Sequence, residues 1–314
     1  MKSSPSRRHF LTASGVLASS VVLSSSASHA KRQSSAKDSF RYCLNTSTIR
    51  ERNIGIEAEI DVAADAGYSG IEPWIRSIRT YQESGGSLSD LRRRLEDRGL
   101  KVESAIGFAQ WIVDDPTARA NALDEAKRDM EIVRELGGTR IAAPPAGANN
   151  CHAIDLKVVA SRYRALLEAG SAVGVTPMLE VWGHSANLHL LGQALFVAAE
   201  SSHPDACMLL DIYHIYKGGS QFEGLSLLGP KAMPVLHMND FPAYPERSAM
   251  NDSHRVMPGD GVADFGRIIK QLRTTNPEMV LSLELFNRDY WKMDPLEVAK
   301  IGLKKMKALV AAHA

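Results

Sequence analysis

The chain has 314 residues, 44% hydrophobic and 23% charged, an ordinary globular composition long enough for one large core or two small ones. The formal net charge is +1, and without Lys2, Arg7 and Arg8, the only charged side chains in the first thirty residues, 34 basic residues face 36 acidic ones. That balance leaves no electrostatic footprint for nucleic acid or an anionic membrane.

Residues 1–30 read as an address. Ser6-Arg7-Arg8-His9-Phe10-Leu11-Thr12 is followed by a short apolar stretch through Val21-Val22-Leu23, and Ser28-His29-Ala30 places small residues around a cleavage point. Adjacent arginines before Phe-Leu resemble the twin-arginine export signal of bacteria. The stretch is too short and too rich in serine for a stable membrane span. The expectation is export to the periplasm by the twin-arginine machinery, which carries folded proteins and so suits a chain that loads a metal before leaving. Residues 31–38 read as a polar leader, and 39–314 as the functional domain.

From there short apolar runs alternate with amphipathic stretches. A strand is expected at 40–44 and a helix at 57–66. A strand at 70–74 and a helix at 88–98 follow, then a strand at 102–106 and a long helix at 117–136, opened by Asp115-Pro116 and stopped by Gly137-Gly138. The next pairs are a strand at 139–143 with a helix at 154–173, and a strand at 176–181 with a helix at 188–199. Then come a strand at 207–210 with a broken helix at 218–228, and a strand at 235–238 with a long loop to 262 and a helix at 264–273. The last pair is a strand at 279–283 and a helix at 295–312. Eight such pairs fit one α/β domain, a single (β/α)8 TIM barrel. A doubly wound open sheet is the alternative, but no Gly-rich dinucleotide loop follows the first strand. Cys43, Cys151 and Cys207 are odd in number, far apart and without CxxC spacing, so they read as small buried apolar side chains.

In such a barrel the active site lies where strands pass into helix-bound loops. Glu180, Asp211, His237 and Glu284 sit at or near the ends of four successive expected strands, each inside an apolar run. Four ionisable groups converging in one low-dielectric place would repel or shed their charge. A divalent cation resolves both problems. Three carboxylates and an imidazole suit Mn2+ or Mg2+, with Co2+ or Zn2+ as alternatives. Singly, each could equally be a helix cap or an ion-pair partner.

Here the chain resembles the xylose isomerase-like barrel family of ketose 3-epimerases, hydroxypyruvate isomerases and inosose dehydratases. The resemblance rests on Leu179-Glu180, Asp211-Ile212-Tyr213-His214, Leu236-His237-Met238-Asn239-Asp240, Arg255-Val256-Met257-Pro258-Gly259-Asp260-Gly261 and Leu283-Glu284. It implies that Glu180, Asp211, His237 and Glu284 hold one divalent metal ion, and that His214 and Arg255 contact substrate oxygens. The epimerases carry a further Glu six residues after the metal-binding one on the fifth strand. Here that position is Ala186, and His184 is the candidate replacement.

The expected reaction is isomerisation or epimerisation of a free sugar or polyol through an enediolate. The ion polarises a carbonyl, and Glu180 and Glu284 remove and return the proton. Glu72, Trp182 and Asn45 are further candidates for substrate contact, and Trp74, Phe108, Trp111 and Phe286 for stacking on sugar C–H faces, although each aromatic could equally be packing. A lyase or dehydratase acting on a 3-keto-glycoside or inosose begins with the same proton abstraction. A non-catalytic sugar-binding protein is a third reading. The barrel-fold DNA-repair endonucleases fit poorly, since they need more His and Asp ligands and a basic face. The sequence leaves assembly into a homo-oligomer open.

Overall fold

A computed structural model of the protein describes residues 40–313. The expected export signal at 1–30 and leader at 31–38 lie outside the described residues. Eight strands form one parallel sheet: β1 Arg41–Asn45, β2 Gly70–Glu72, β3 Lys101–Val102, β4 Arg140–Ala143, β5 Thr176–Glu180, β6 Met208–Asp211, β7 Val235–Met238 and β8 Val280–Leu283. Their order is β3-β2-β1-β8-β7-β6-β5-β4. The two ends meet where Ala142 N donates to the Ala105 carbonyl at 2.8 Å, so the expected TIM barrel is the observed fold.

Helices connect the strands: α1 Ile56–Ala66, α2 Ile75–Glu83, α3 Leu88–Asp97, α4 Pro116–Glu135, α5 Leu156–Val173, α6 Leu191–Glu200, α7 Ile212–Gly218, α8 Phe265–Thr275 and α9 Pro295–Ala312. Their starts follow from local chemistry. Asp115 accepts from Ala118 N with Pro116 in the first turn, and Asp294 accepts from Glu297 N with Pro295 in the first turn. In α8 the residues Phe265, Ile268, Ile269 and Leu272 recur at helical spacing and are all buried, each contributing about 1.5–3 kcal/mol. No helix among the described residues is long and apolar enough to cross a membrane.

Several local expectations need correction. β2 ends at Glu72, not at 74, because Pro73 has no N–H to extend the ladder. The third strand is correspondingly reduced to Lys101–Val102, and only an isolated bridge between Trp74 and Ile106 continues the pairing. Helix α2 was not expected, since Ile75 and Ile78 alone mark its buried face. The broken helix expected at 218–228 begins earlier, as α7, and is followed by a 3-10 turn at Phe222–Leu227. Cys43 and Cys207 are buried as expected, but Cys151 is exposed, and all three are free.

Candidate metal centre

Side chains alternate across a strand, so residues two apart share a face. Cys43, Met178, Leu209, Val235 and Val280 belong to a small apolar cluster within the barrel, distinct from the larger core under the helices. Two residues further along the same strands stand Asn45, Glu180, Asp211, His237 and Ser282, all buried. One period-two step thus converts an apolar floor into a polar layer at the strand ends, with Glu284 two residues beyond Ser282.

Asp211, His237 and Glu284 each offer one ligand atom, all within 4.8 Å of one another. His237 Nδ1 lies 3.0 Å from Glu284 Oε2 and 3.7 Å from Asp211 Oδ2, without the alignment of a hydrogen bond. A buried imidazole nitrogen aimed at two carboxylates with no hydrogen-bond partner among the described residues is what a cation site requires, so these side chains fit a divalent ion. Glu180 lies outside that tight group. It lines the cavity above, and the charges of His237, Glu284 and Asp211 all act on it.

A second ring of contacts fixes these groups. Glu72 Oε2 accepts from Asn45 Nδ2 at 2.9 Å and Ser282 Oγ at 2.8 Å and lies 2.9 Å from His237 Nε2. That contact sets the imidazole orientation and leaves Nδ1 for the ion. Glu72 is fully buried beneath the cavity, so its expected role in substrate contact is replaced by one behind His237. Asn45 also donates to Glu284 Oε1 at 3.1 Å, so it too acts from behind a carboxylate. Asp211 both ends β6 and caps α7. Its Oδ1 accepts from His214 N at 2.8 Å, while Oδ2 accepts from Asn239 Nδ2 at 2.8 Å.

Arg255 is buried and bridges two clusters. Its Nη1 donates to Asp211 Oδ2 and Glu284 Oε2, each at 2.8 Å. Its Nη2 donates to Asp252 Oδ1 at 2.6 Å and stands 2.9 Å from His214 Nε2. His184, His214 and Asp252 form a second group of ligand-type atoms within 4.8 Å. Gly183 N donates to His214 Nδ1 at 3.2 Å. A neutral imidazole accepts at one nitrogen only. Arg255 can only donate, so its contact needs Nε2 as acceptor while the Gly183 amide needs Nδ1, and the two compete for the single acceptor nitrogen of the neutral ring. Asp252, Asn239 and Ser282 were not among the expected site residues: Asp252 lies in a loop, while Asn239, just past β7, and Ser282, inside β8, carry no charge to mark them.

The loop that delivers Arg255 hangs on Asp240. Its Oδ2 accepts from Gly259 N at 3.0 Å and Gly261 N at 2.9 Å, and its Oδ1 accepts from Phe241 N at 2.8 Å and Ala263 N at 3.0 Å. Asp240 and Val256 also exchange both backbone hydrogen bonds.

Electrostatics separate the two glutamates. Burial pushes Glu180 up to about 8, with Glu284 adding to the rise and His237 opposing it. Burial also acts against the Glu284 charge, but His237 and Arg255 outweigh it and hold that carboxyl far below the usual range. Burial raises Asp211 to about 6 against the pull of Arg255. For His237, burial disfavours the charge while Glu284 and Glu72 raise it well above the ordinary imidazole value. Burial and the Arg255 charge keep His214 neutral far below that value.

A cavity of about 510 Å³ opens over these groups. Glu180, Glu284, His214, Arg255, His184 and Trp182 line it, as do Trp74, Phe108 and Phe286. Trp111 does not: it is buried in the main core with Nε1 donating to the Pro144 carbonyl at 2.8 Å.

Known proteins share this architecture. A family model described as a xylose isomerase-like TIM barrel matches residues 60–309. An inosose isomerase of Bacillus velezensis is 24% identical over 279 residues, 87% of this chain and 98% of that protein. A 3-dehydroshikimate dehydratase of Pseudomonas putida is 21% identical over 79% of this chain and 39% of its own length. A crystal structure of an IOLI protein with a bound zinc atom superposes with a TM-score of 0.81 at 22% identity, covering 88% of this chain and 99% of that one.

Proposed function

The chain belongs to the xylose isomerase-like TIM barrel family, and from that premise we propose that it is a divalent-metal-dependent isomerase or epimerase of a free sugar or related polyol. The observation that carries the reading is the convergence of Asp211, His237 and Glu284 at the floor of a sugar-accommodating cavity, with Glu180 beside them. The isomerase and dehydratase among the relatives support a reaction on a keto-sugar or keto-polyol, and the zinc in the IOLI structure supports the metal. Asp211, His237, Glu284 and Glu180 would hold the ion, which when bound polarises a carbonyl and its neighbouring hydroxyl and so acidifies the adjacent C–H.

The rest is done by the chain. Glu180 and Glu284 come from separate strands, and one removes the proton while the other returns it. His214, on the cavity wall, holds one substrate oxygen. Arg255 holds a second oxygen. Trp182 covers the apolar face of the ring, and burial excludes water from the transferred proton. Export to the periplasm by the twin-arginine route is part of this proposal and rests on Arg7-Arg8 and Ser28-His29-Ala30.

The dehydratase relative favours a second reading, a lyase on a 3-keto-glycoside or inosose. There the C–H proton leaves to a glutamate, and the C–O bond at the neighbouring carbon then breaks, releasing the oxygen with a proton as alcohol or water. Incubating the metal-loaded protein in D2O with ketoses, inososes and 3-keto-glycosides tests both. Deuterium next to the carbonyl with an epimer or isomer supports the first reading, and released aglycone or water supports the second. Glu180→Gln or Glu284→Gln should slow exchange at least about a hundredfold. Full turnover in both variants would remove the glutamates from the mechanism.

A further inference from the structure

The cavity is larger, and differently lined, than one sugar ring requires. At about 510 Å³ it falls in the range of about 300–1,000 Å³ that holds drug-sized ligands. Its deep end is polar and almost inaccessible, made by Glu180, Glu284, His214 and Arg255. Its outer end is built from other residues.

One wall there is a continuous aromatic row. The Phe286 and Trp74 ring centroids are 6.1 Å apart, those of Trp74 and Phe108 5.0 Å, and those of Phe108 and Trp182 6.1 Å. Successive rings are tilted by 66°, 52° and 47°, and the Arg50 guanidinium lies over Trp74 and Phe286, so the wall is angled and Phe108 is its most exposed ring. Phe108, between Trp74 and Trp182 in that row, is 41% exposed, unusual for a phenylalanine. The outer cavity is also lined by Asn251 and Ser253, which bring amide and hydroxyl groups. An aromatic wall with polar groups in the same space suits a ring with an apolar C–H face and a polar edge.

We infer that the outer cavity is a subsite for a second ring joined by a glycosidic bond to the sugar held at the deep end, so that the substrate class is a glycoside. The inference rests on the second of the two readings above, in which the deep ligand is the keto-sugar of a glycoside and not a free sugar. Stacking on Phe108 holds the second ring, and Asn251 and Ser253 meet its hydroxyls.

Calorimetric titration of the metal-loaded protein with methyl glucoside, p-nitrophenyl glucoside and cellobiose tests it without turnover. At least one of the two-ring ligands should bind about tenfold or more tightly than methyl glucoside, and Phe108→Ala should abolish that gain. A gain for the aryl compound alone assigns the second ring as an aromatic aglycone, and a gain for cellobiose assigns it as a sugar. Equal affinities for all three, no measurable gain from either second ring, or a gain that survives Phe108→Ala overturns the subsite. Circular dichroism of each variant separates a lost subsite from a lost fold. Failure of C–H exchange in D2O, with the two-ring gain intact, would instead count against the proposed reaction alone.

Discussion

His237 Nε2 stands 2.9 Å from a Glu72 oxygen that is also held by Asn45 and Ser282, so the imidazole reaches the ion site already oriented. Partners of this kind typically change metal affinity about 10- to 100-fold when removed. Glu72→Gln should therefore weaken Zn2+ or Mn2+ binding by that factor with the fold retained, as read by metal titration, and an unchanged affinity would contradict the role. Glu72 was legible as a polar residue at a strand end, but its depth was not, because the register of neighbouring strands decides which carboxylate faces the cavity. The four principal residues were legible because each interrupts an apolar run. Asp252 was not, because it lies in a loop and reaches His214 only through the fold. Away from the site, Glu59 on α1 is buried, with Oε2 lacking a hydrogen-bond partner among the described residues. Burial pushes it from the ordinary 4.5 up to about 7, so between those values the folded chain keeps a proton that the unfolded chain has lost. Stability must then fall as pH rises across that window, by up to about 1.4 kcal/mol per unit. Glu59→Gln should be more stable than the parent at pH 8 and lose most of that advantage below pH 4.5. Denaturant midpoints at both pH values measure this, and a variant weaker at pH 8 would refute it.

Elements position the site through their junctions. Asp211 shows the economy of the arrangement: one oxygen starts α7 and the other faces the ion site, so strand end and helix start share a residue. That double use explains why the helix after β6 begins earlier than expected. The sequence marks a helix by its apolar period, and Ile212–Gly218 is too short to show one. The long loop after β7 is recognisable by length and by Arg255-Val256-Met257-Pro258-Gly259-Asp260-Gly261, but its internal clamp at Asp240 emerges only in three dimensions. Gly261 is needed there for close approach, since a Cβ would stand 2.2 Å from the Phe241 carbonyl and 2.4 Å from Asp240 Oδ1. Gly261→Ala should cost about 1–3 kcal/mol and displace Arg255. Thermal melting with and without a divalent ion reads both effects, and an unchanged melting temperature would show that the loop has slack.

At the scale of the whole molecule, a barrel repeats one device around its axis: an apolar residue inside, then two positions later a polar one at the mouth. This is why fold and floor were readable together from strand-end residues, while the cavity walls were not. Trp111 and Phe108 both follow the third strand, yet one fills the core and the other lines the opening. Loop paths decide that, and loops carry little periodic signal. We propose above that the mouth of this barrel is a divalent-metal centre held by Asp211, His237, Glu284 and Glu180. Elemental analysis of the purified protein after incubation with Mn2+, Mg2+, Co2+ or Zn2+ and desalting tests it most directly, beside a folded Asp211→Asn/His237→Gln double variant. One tightly held divalent ion per chain is expected in the parent and none in the variant. A parent that retains no ion under any of these conditions, or a variant that retains the same amount, would contradict it.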